Sequence, residues 1–384
     1  MTLELSPTQA VLCRLLAGGV PPVADGPALV DLALANGVAP LLHHRLQQAT
    51  VPLDEAGRQR LALAYMASGA RNRQLRQALG ALGPLLAEHG QEAVLLKGAS
   101  LIARLYEDPA LRPMNDLDLW VPGPGAFALW QRLVQRGLAV PAVPAAPALS
   151  LVEGEVSARM DPARCQRDLG HLSPLWLPAY RLKLDLLPRL DWERSLLSER
   201  REQAIWANRQ PWPEVPGLAL VAPADEPVIL LAHLLRHAMS GGFYLLRAVD
   251  LVVAWQRPAW RQGFLAIRHR PAVGALALAL AALAPGQEQL LAAPPWPARR
   301  LFHAAGRGVV PQLADRGWLE RRLALLDNVP DGAGRFRYAW SLVFPAPAYM
   351  RQQYALRRSL WLPLCYAHRL ASRTIMAISS LLAR

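Results

Sequence analysis

The run Asp116-Leu117-Asp118-Leu119-Trp120-Val121 sets two carboxylates two residues apart inside an apolar segment. Successive side chains of a β-strand alternate faces, so Asp116 and Asp118 share one side while Leu117 and Leu119 anchor the other in a core. Holding two like charges this close is costly unless a cation lies between them. Oxygen-only donors suit Mg²⁺, with Mn²⁺ as the alternative ion. Such a cation takes one or two carboxylates and completes its shell with water and substrate phosphates. The chemistry this supports is phosphoryl or nucleotidyl transfer, in which electrostatic stabilisation of the triphosphate does most of the work.

A third carboxylate commonly completes a two-metal arrangement, and Asp185 is the candidate for it. It lies in Tyr180-Arg181-Leu182-Lys183-Leu184-Asp185-Leu186-Leu187, where strand-like alternation buries Leu184 and Leu186 and turns Asp185 toward the same cleft. An ordinary exposed strand residue is the alternative reading. Asp191 and Glu193 are rivals, but they stand beyond Pro188, which ends the strand.

Upstream, the apolar run Ala93-Val94-Leu95-Leu96 leads into Lys97-Gly98-Ala99-Ser100. A strand followed at once by a helix start leaves free backbone N–H groups with little side-chain bulk around them, a setting that receives phosphate. Lys97 adds a fixed positive charge. A Lys-Gly pair by itself is a common turn; its weight comes from Gly98 standing eighteen residues before Asp116. Arg112, four residues before Asp116, either pairs with a triphosphate or braces the acidic strand by a bidentate contact. The nucleotide-binding candidates are therefore Lys97, Gly98, Ala99, Ser100 and Arg112.

These residues need a scaffold, and the hydrophobic periodicity supplies one. From Pro7 to about Gly90 apolar residues recur at helical spacing, as in Leu29, Leu32, Ala33 and Leu41, Leu42, Leu46. Residues 1–90 thus form a helical amino-terminal unit, with Arg60–Glu88 as one long helix or two broken at Gly83-Pro84. Residues 91–215 read as strand, turn, helix, loop and strand, then a helix over Ala126–Arg136. A loop or irregular strand over Val140–Leu149 and the strand of Asp185 follow. Residues 216–384 turn helical again, starting at Pro223-Ala224-Asp225-Glu226-Pro227. The expected fold class is α+β, a small mixed-sheet core flanked by amino- and carboxy-terminal α-helical units.

With 384 residues and 53% hydrophobic content, the chain can bury a sizeable core and divide into more than one unit. The longest uncharged apolar run, Pro271–Pro285, is shorter than the ~20 residues that span a bilayer, so it reads as a buried helix and no transmembrane segment is expected. Met1–Val11 contains Glu4 and lacks the basic start of a secretory leader. Cys13, Cys165 and Cys365 lie far apart without paired spacing, which fits a reduced, cytoplasmic setting.

The net charge of +13 points to an anionic partner, such as a nucleotide, a nucleic acid or a lipid surface. Yet 40 of the 42 basic residues are arginines spread along the chain, and only Lys97 and Lys183 are lysines. That pattern matches a GC-rich coding bias and a solvated basic surface better than a dedicated nucleic-acid groove. His233 and His237 share a helical face, but Leu234 stands where a zinc protease needs Glu, so they read as a structural pair. His171 is a loop histidine, a substrate contact or simply solvated. The stretch Arg351–Arg384 is basic and amphipathic, with Pro363 as an interruption. It suits an anionic membrane or RNA, and packing on the domain or against a second copy of the chain in a homo-oligomer suits it better.

Together, Leu96-Lys97-Gly98-Ala99 through Tyr106 and Arg112-Pro113-Met114-Asn115-Asp116-Leu117-Asp118-Leu119 resemble the bacterial nucleotidyltransferases of the DNA polymerase β-like superfamily. The likeness extends over Ala35-Asn36-Gly37-Val38-Ala39-Pro40-Leu41, the segment Ala224 to His237, and Leu246-Arg247-Ala248-Val249-Asp250. It implies a glycine turn at Gly98 to Ser100, a metal-binding pair at Asp116 and Asp118, and Asp185 as the third acid. It also implies Mg²⁺-dependent transfer of a nucleoside monophosphate from an NTP to an acceptor, with release of pyrophosphate. The acceptor it leaves open: protein, peptide, small molecule or RNA. One departure is that Gly98 is followed by Ala99, where the superfamily places Gly or Ser, and Ser comes at position 100. That altered turn motivates an inactive nucleotide-binding or scaffold protein of the same fold as one alternative. The basic charge motivates an RNA- or tRNA-directed enzyme as another.

Overall fold

The computed structural model describes residues 5–19, 26–47, 53–141, 174–190, 199–240, 245–268, 273–291 and 359–382, with single residues at 172, 197, 336, 340, 344, 347, 350 and 354. The chain opens with helices α1 (Pro7–Leu16), α2 (Gly26–Ala35), α3 (Ala39–Leu46) and the long α4 (Glu55–Glu88). Ser6 caps α1 reciprocally: its hydroxyl accepts the Gln9 N–H at 3.3 Å, and its own N–H donates to the Gln9 side chain at 2.9 Å. Asp54 caps α4 by accepting the Gly57 N–H at 2.9 Å. Helix α4 runs unbroken through Pro84. Packing holds it together there: Val215 and Pro216 press so close that a Cβ at Gly83 would lie 2.8 Å from the Pro216 carbonyl oxygen.

Strand β1 (Ala93–Leu95), helix α5 (Lys97–Arg104), strand β2 (Asp116–Trp120) and helix α6 (Gly125–Gln135) follow. Then come β3 (Val140–Pro141), β4 (Leu175–Leu177), β5 (Leu182–Leu187), α7 (Glu199–Ala207), β6 (Gln210–Pro211) and β7 (Leu218–Leu220). They form one seven-stranded mixed sheet in the order β3-β4-β5-β2-β1-β7-β6. Strands β2 and β5 run parallel, as do β1 and β7, and the remaining pairs are antiparallel. Strand β7 extends the sheet beyond residue 215, into the first residues of the span 216–384 expected as a helical unit and ahead of the helix start at Pro223.

One face of the sheet packs on α4 and α6: Leu117, Leu119, Leu184 and Leu186 join Leu79, Leu82, Leu86, Leu129 and Leu133 in a buried cluster. On the other face Val94, Leu96 and Trp120 meet Ile205 of α7. Burying apolar area at roughly 25 cal/mol per Å² makes these clusters the principal favourable contribution to the sheet's position.

The rest is helical: α8 (Glu226–Ser240), α9 (Leu245–Trp255), α10 (Pro258–Ala266), α11 (Gly274–Leu283) and α12 (Leu362–Leu382). The first three helices and α9 to α11 share a single hydrophobic cluster that includes Leu12, Leu29, Leu42, Leu251, Trp255 and Leu280. The two helical ends of the chain therefore meet beside the sheet. The uncharged run after Pro271 is the buried helix α11, as its length predicted.

Pro363 does not interrupt the carboxy-terminal helix. It occupies the second residue of α12, after a short 3₁₀ turn at Ser359–Trp361, because a first-turn N–H has no helical partner to lose. Among the described residues no helix is long and apolar enough to cross a membrane. Cys13 and Cys365 are buried. Cys165, His171, Asp191, Glu193 and most of Val140–Leu149 lie outside the described residues.

Candidate functional site

Strand β2 lies between β1 and β5, and its register decides the site. Asp118 pairs with Asp185 and Asp116 with Lys183. Adjacent strands lie about 4.8 Å apart, and residues two apart share a face. Asp116, Asp118, Lys183 and Asp185 therefore stand on one face of two parallel strands, opposite the leucines that hold the sheet to α4 and α6. Asp116 is exposed, Asp118 is only 8% exposed, and Asp185 is half-buried.

Each inner carboxylate is met by an ammonium group. Lys97 Nζ lies 2.6 Å from Asp118 Oδ1, and Lys183 Nζ lies 2.8 Å from Asp185 Oδ2. These are the chain's two lysines. The charges still do not balance at Asp185. Burial, then the neighbouring Asp118 charge, push its carboxyl above the ordinary range, against the pull of Lys183. Lys183 in turn is raised, with burial opposing and the charge of Asp185 leading the stabilisation.

The turn that carries Lys97 is strained. Its φ of 54° is left-handed, a conformation that costs a non-glycine residue roughly 1 kcal/mol or more. Leu96 before it is extended and no side chain caps α5, so no capping side chain takes up the first backbone N–H groups of the helix. Gly98 follows because nothing larger fits: a Cβ there would lie 2.7 Å from Met114 Sδ and nearer still to the Arg112 guanidinium. Ala99 packs into the core under the sheet.

Ser100 and Arg112 are both held by protein partners, and Arg112 also borders the cleft in front of Asp116 and Asp118. Ser100 is fully buried; its hydroxyl accepts Arg104 Nη2 at 2.7 Å and bonds Glu226, which Arg104 and Trp260 also hold. Arg112 makes a two-point contact with Asp250 of α9, Nε to Oδ1 at 2.8 Å and Nη2 to Oδ2 at 2.6 Å. The Tyr106 hydroxyl donates to the same carboxylate at 2.7 Å. Of its two anticipated roles Arg112 takes the bracing geometry, with Asp250 rather than the acidic strand as the partner.

In front of Asp116 and Asp118 lies a cleft of about 570 Å³, and Asp185, beside Asp118 in the sheet, is not part of its lining. Lys97, Gly98, Asp116 and Asp118 form one wall; Leu34 to Gly37, Pro40 and Ala64 form a second; His233, Leu246 and Arg247 close the third. Asn36, fully buried, stitches the last two. Its Oδ1 accepts the Leu245 N–H at 3.2 Å, its carbonyl accepts the Leu246 N–H at 3.3 Å, and its Nδ2 donates to the Leu32 carbonyl at 2.8 Å. His233 thus lines the cleft, while the side chain of His237 lies outside the described residues. Among the described residues no three His, Cys, Asp or Glu side chains converge as a ready-made metal cage.

A family described as "Uncharacterised nucleotidyltransferase" matches residues 22–285. The chain belongs to that family. No curated protein and no solved structure matches it. A nucleotidyltransferase is a transferase that takes an NTP as donor. The matched span of this nucleotidyltransferase runs from α2 to just past α11, and so includes all three walls of the cleft.

Three residues at the site of this nucleotidyltransferase carry contacts that the sequence does not assign to them. Lys183 had a usable signal, since it lies two residues before Asp185 on the same strand face and is one of only two lysines. Asp250 had one too: it is the lone acid inside the apolar helix Leu245–Trp255, and a buried carboxylate requires a cationic partner. Asn36 had none beyond its place before Gly37, whose φ of 70° marks a helix end.

Proposed function

We propose that this chain transfers a nucleoside monophosphate from an NTP to an acceptor hydroxyl, with Asp116, Asp118 and Asp185 holding Mg²⁺ or Mn²⁺. The observation that supports this most directly is the register that sets Asp118 beside Asp185 with Asp116 on the same face. The donor set fits such an ion. It is all carboxylate oxygen, with Asp118 and Asp185 side by side across the β2–β5 register. The bound cation supplies charge neutralisation on the α-phosphate and on the leaving pyrophosphate.

The chain's own groups do the rest. The backbone donors at the start of α5 and the Lys97 ammonium, held in place by the left-handed turn, seat the triphosphate. Gly98 lets that backbone lie close over Arg112 and Met114. Arg112, gripped by Asp250, holds the loop that leads into β2, and Ser100 with Arg104 and Glu226 fixes the far side of α5. Ala99 anchors the same turn in the core. Asp185, whose carboxyl is raised by burial and then by the Asp118 charge, accepts the acceptor's proton as the acceptor oxygen bonds the α-phosphorus and the bond to pyrophosphate breaks. The cleft bounded by Asn36, Gly37 and Arg247 receives the acceptor or the nucleoside.

The test is transfer of label from α-phosphate-labelled ATP, CTP, GTP or UTP into a cell-extract acceptor fraction. Dependence on a divalent cation, with at least a ~100-fold loss in Asp116→Asn, supports the reading. Undiminished transfer by that variant removes it. A second reading, nucleotide binding without turnover, is favoured by one observation: the lysines already neutralise Asp118 and Asp185 in part. Nucleotide binding with no pyrophosphate released from any NTP would decide for it.

A further inference from the structure

The two lysines are unusual in kind as well as place. This chain writes 40 of its 42 basic residues as arginine, yet both exceptions contact inner carboxylates of the candidate site. An arginine would grip a carboxylate through two parallel hydrogen bonds and hold it. An ammonium is a compact, strongly hydrated point charge on a flexible stem, so it neutralises a carboxylate and can also leave it.

The two differ in freedom. The Lys97 side chain is 12% exposed, on a backbone pinned in a left-handed turn, whereas that of Lys183 is 43% exposed, on a regular strand. Lys183 stands in register with Asp116, bonds Asp185 and feels Asp118 as well. Its charge thus sits among all three carboxylates with an open path to solvent.

We propose that Lys183 is a built-in counter-ion that occupies the divalent-cation position while the site is empty and is displaced from Asp185 when the cation enters. This rests on the nucleotidyl-transfer reading of the three aspartates and adds to it a residue that sets cation affinity. With the lysine in place the acidic face avoids the full repulsion of its carboxylates, and the cation must compete for Asp185. The ion enters with its phosphate-bearing substrate more readily than alone, because triphosphate oxygens supply the ligands that repay the exchange.

The experiment is Mn²⁺ binding to the full chain by calorimetry, for the wild type and Lys183→Met, with circular dichroism as the control for folding. Loss of the competing ammonium is expected to tighten Mn²⁺ binding by roughly fivefold, the scale of one partly exposed ion pair. A merely structural lysine would weaken binding when removed. A second measurement needs no variant: acetylation of Lys183 by an amine-reactive reagent, read by peptide mass spectrometry, rises severalfold at saturating Mn²⁺. Equal or weaker Mn²⁺ binding by a folded Lys183→Met, or Lys183 acetylation unmoved by Mn²⁺ that demonstrably binds, overturns the counter-ion role and leaves the aspartate site standing. No Mn²⁺ binding by either protein, with or without NTP, removes the site reading and the counter-ion role with it. Binding by Lys183→Met alone supports both.

Discussion

Arg112 and Asp250 lie 138 residues apart in sequence and meet through two hydrogen bonds of 2.8 Å and 2.6 Å at the edge of the cleft that Arg112 helps to line. The contact ties the loop before β2 to helix α9 and so couples the aspartate strand to the helical wall of the cleft. Burial lowers the Arg112 guanidinium, and the charge and hydrogen bond of Asp250, with Tyr106 and Asp116, together outweigh it and raise the group. Removing the carboxylate leaves that cation buried and unpaired. Asp250→Ala is therefore expected to cost about 3–5 kcal/mol in denaturant unfolding. A loss under about 1 kcal/mol would show that the pair does not hold the wall in place.

Gly98→Ala adds one carbon against the Arg112 guanidinium and the Met114 sulfur, 2.7 Å from the latter. Neither can retreat freely, since Arg112 is held by Asp250. The variant should lose about 1–3 kcal/mol of stability and bind NTP more weakly as the α5 start shifts. Wild-type melting together with wild-type nucleotide affinity would contradict the packing assigned to this turn.

The raised Asp185 carboxyl carries a signed pH dependence. Its folded pKa lies above the unfolded value, so stability from this group is lost as pH rises through that window and the ionised form is a cost above it. A divalent cation should offset that cost. Mn²⁺ is therefore expected to raise the melting temperature at neutral pH, by an increment that shrinks on acidification before the ordinary carboxylate range is reached. The same increment in Asp185→Asn would contradict this.

Burial pushes the Cys13 thiol up to about 12, so the reactive thiolate forms only far above neutral pH. Native protein treated with iodoacetamide at neutral pH should keep Cys13 unmodified, and unfolded protein should alkylate it fully. Rapid modification of Cys13 in the native state would mean that α1 does not pack on its neighbours as described.

Local rules made the centre of the molecule legible. The alternation around Asp116, Asp118 and Asp185 is a period-two pattern whose apolar members do bury, so one strand face could be inferred from the residues alone. Long-range pairing was not legible. Nothing local to Arg112 names Asp250, and nothing near Ser100 shows that its hydroxyl is taken by Arg104 and Glu226. Strand β7 is three residues long, too short for a periodicity to stand out, although it closes against β1. Pro363 was read by its effect inside a helix, when its place in the first turn makes it a start. The helical ends looked like separate units because periodicity reports which face is apolar and not what covers it.

The most direct test of the aspartate site is calorimetric titration of the purified chain with ATP, CTP, GTP and UTP, with and without Mg²⁺, beside an Asp116→Asn, Asp118→Asn double variant. The wild type is expected to bind at least one NTP only when the cation is present, and the folded double variant to lose that binding. Cation-independent binding, equal binding by the variant, or no binding of any NTP by a folded wild type would contradict this.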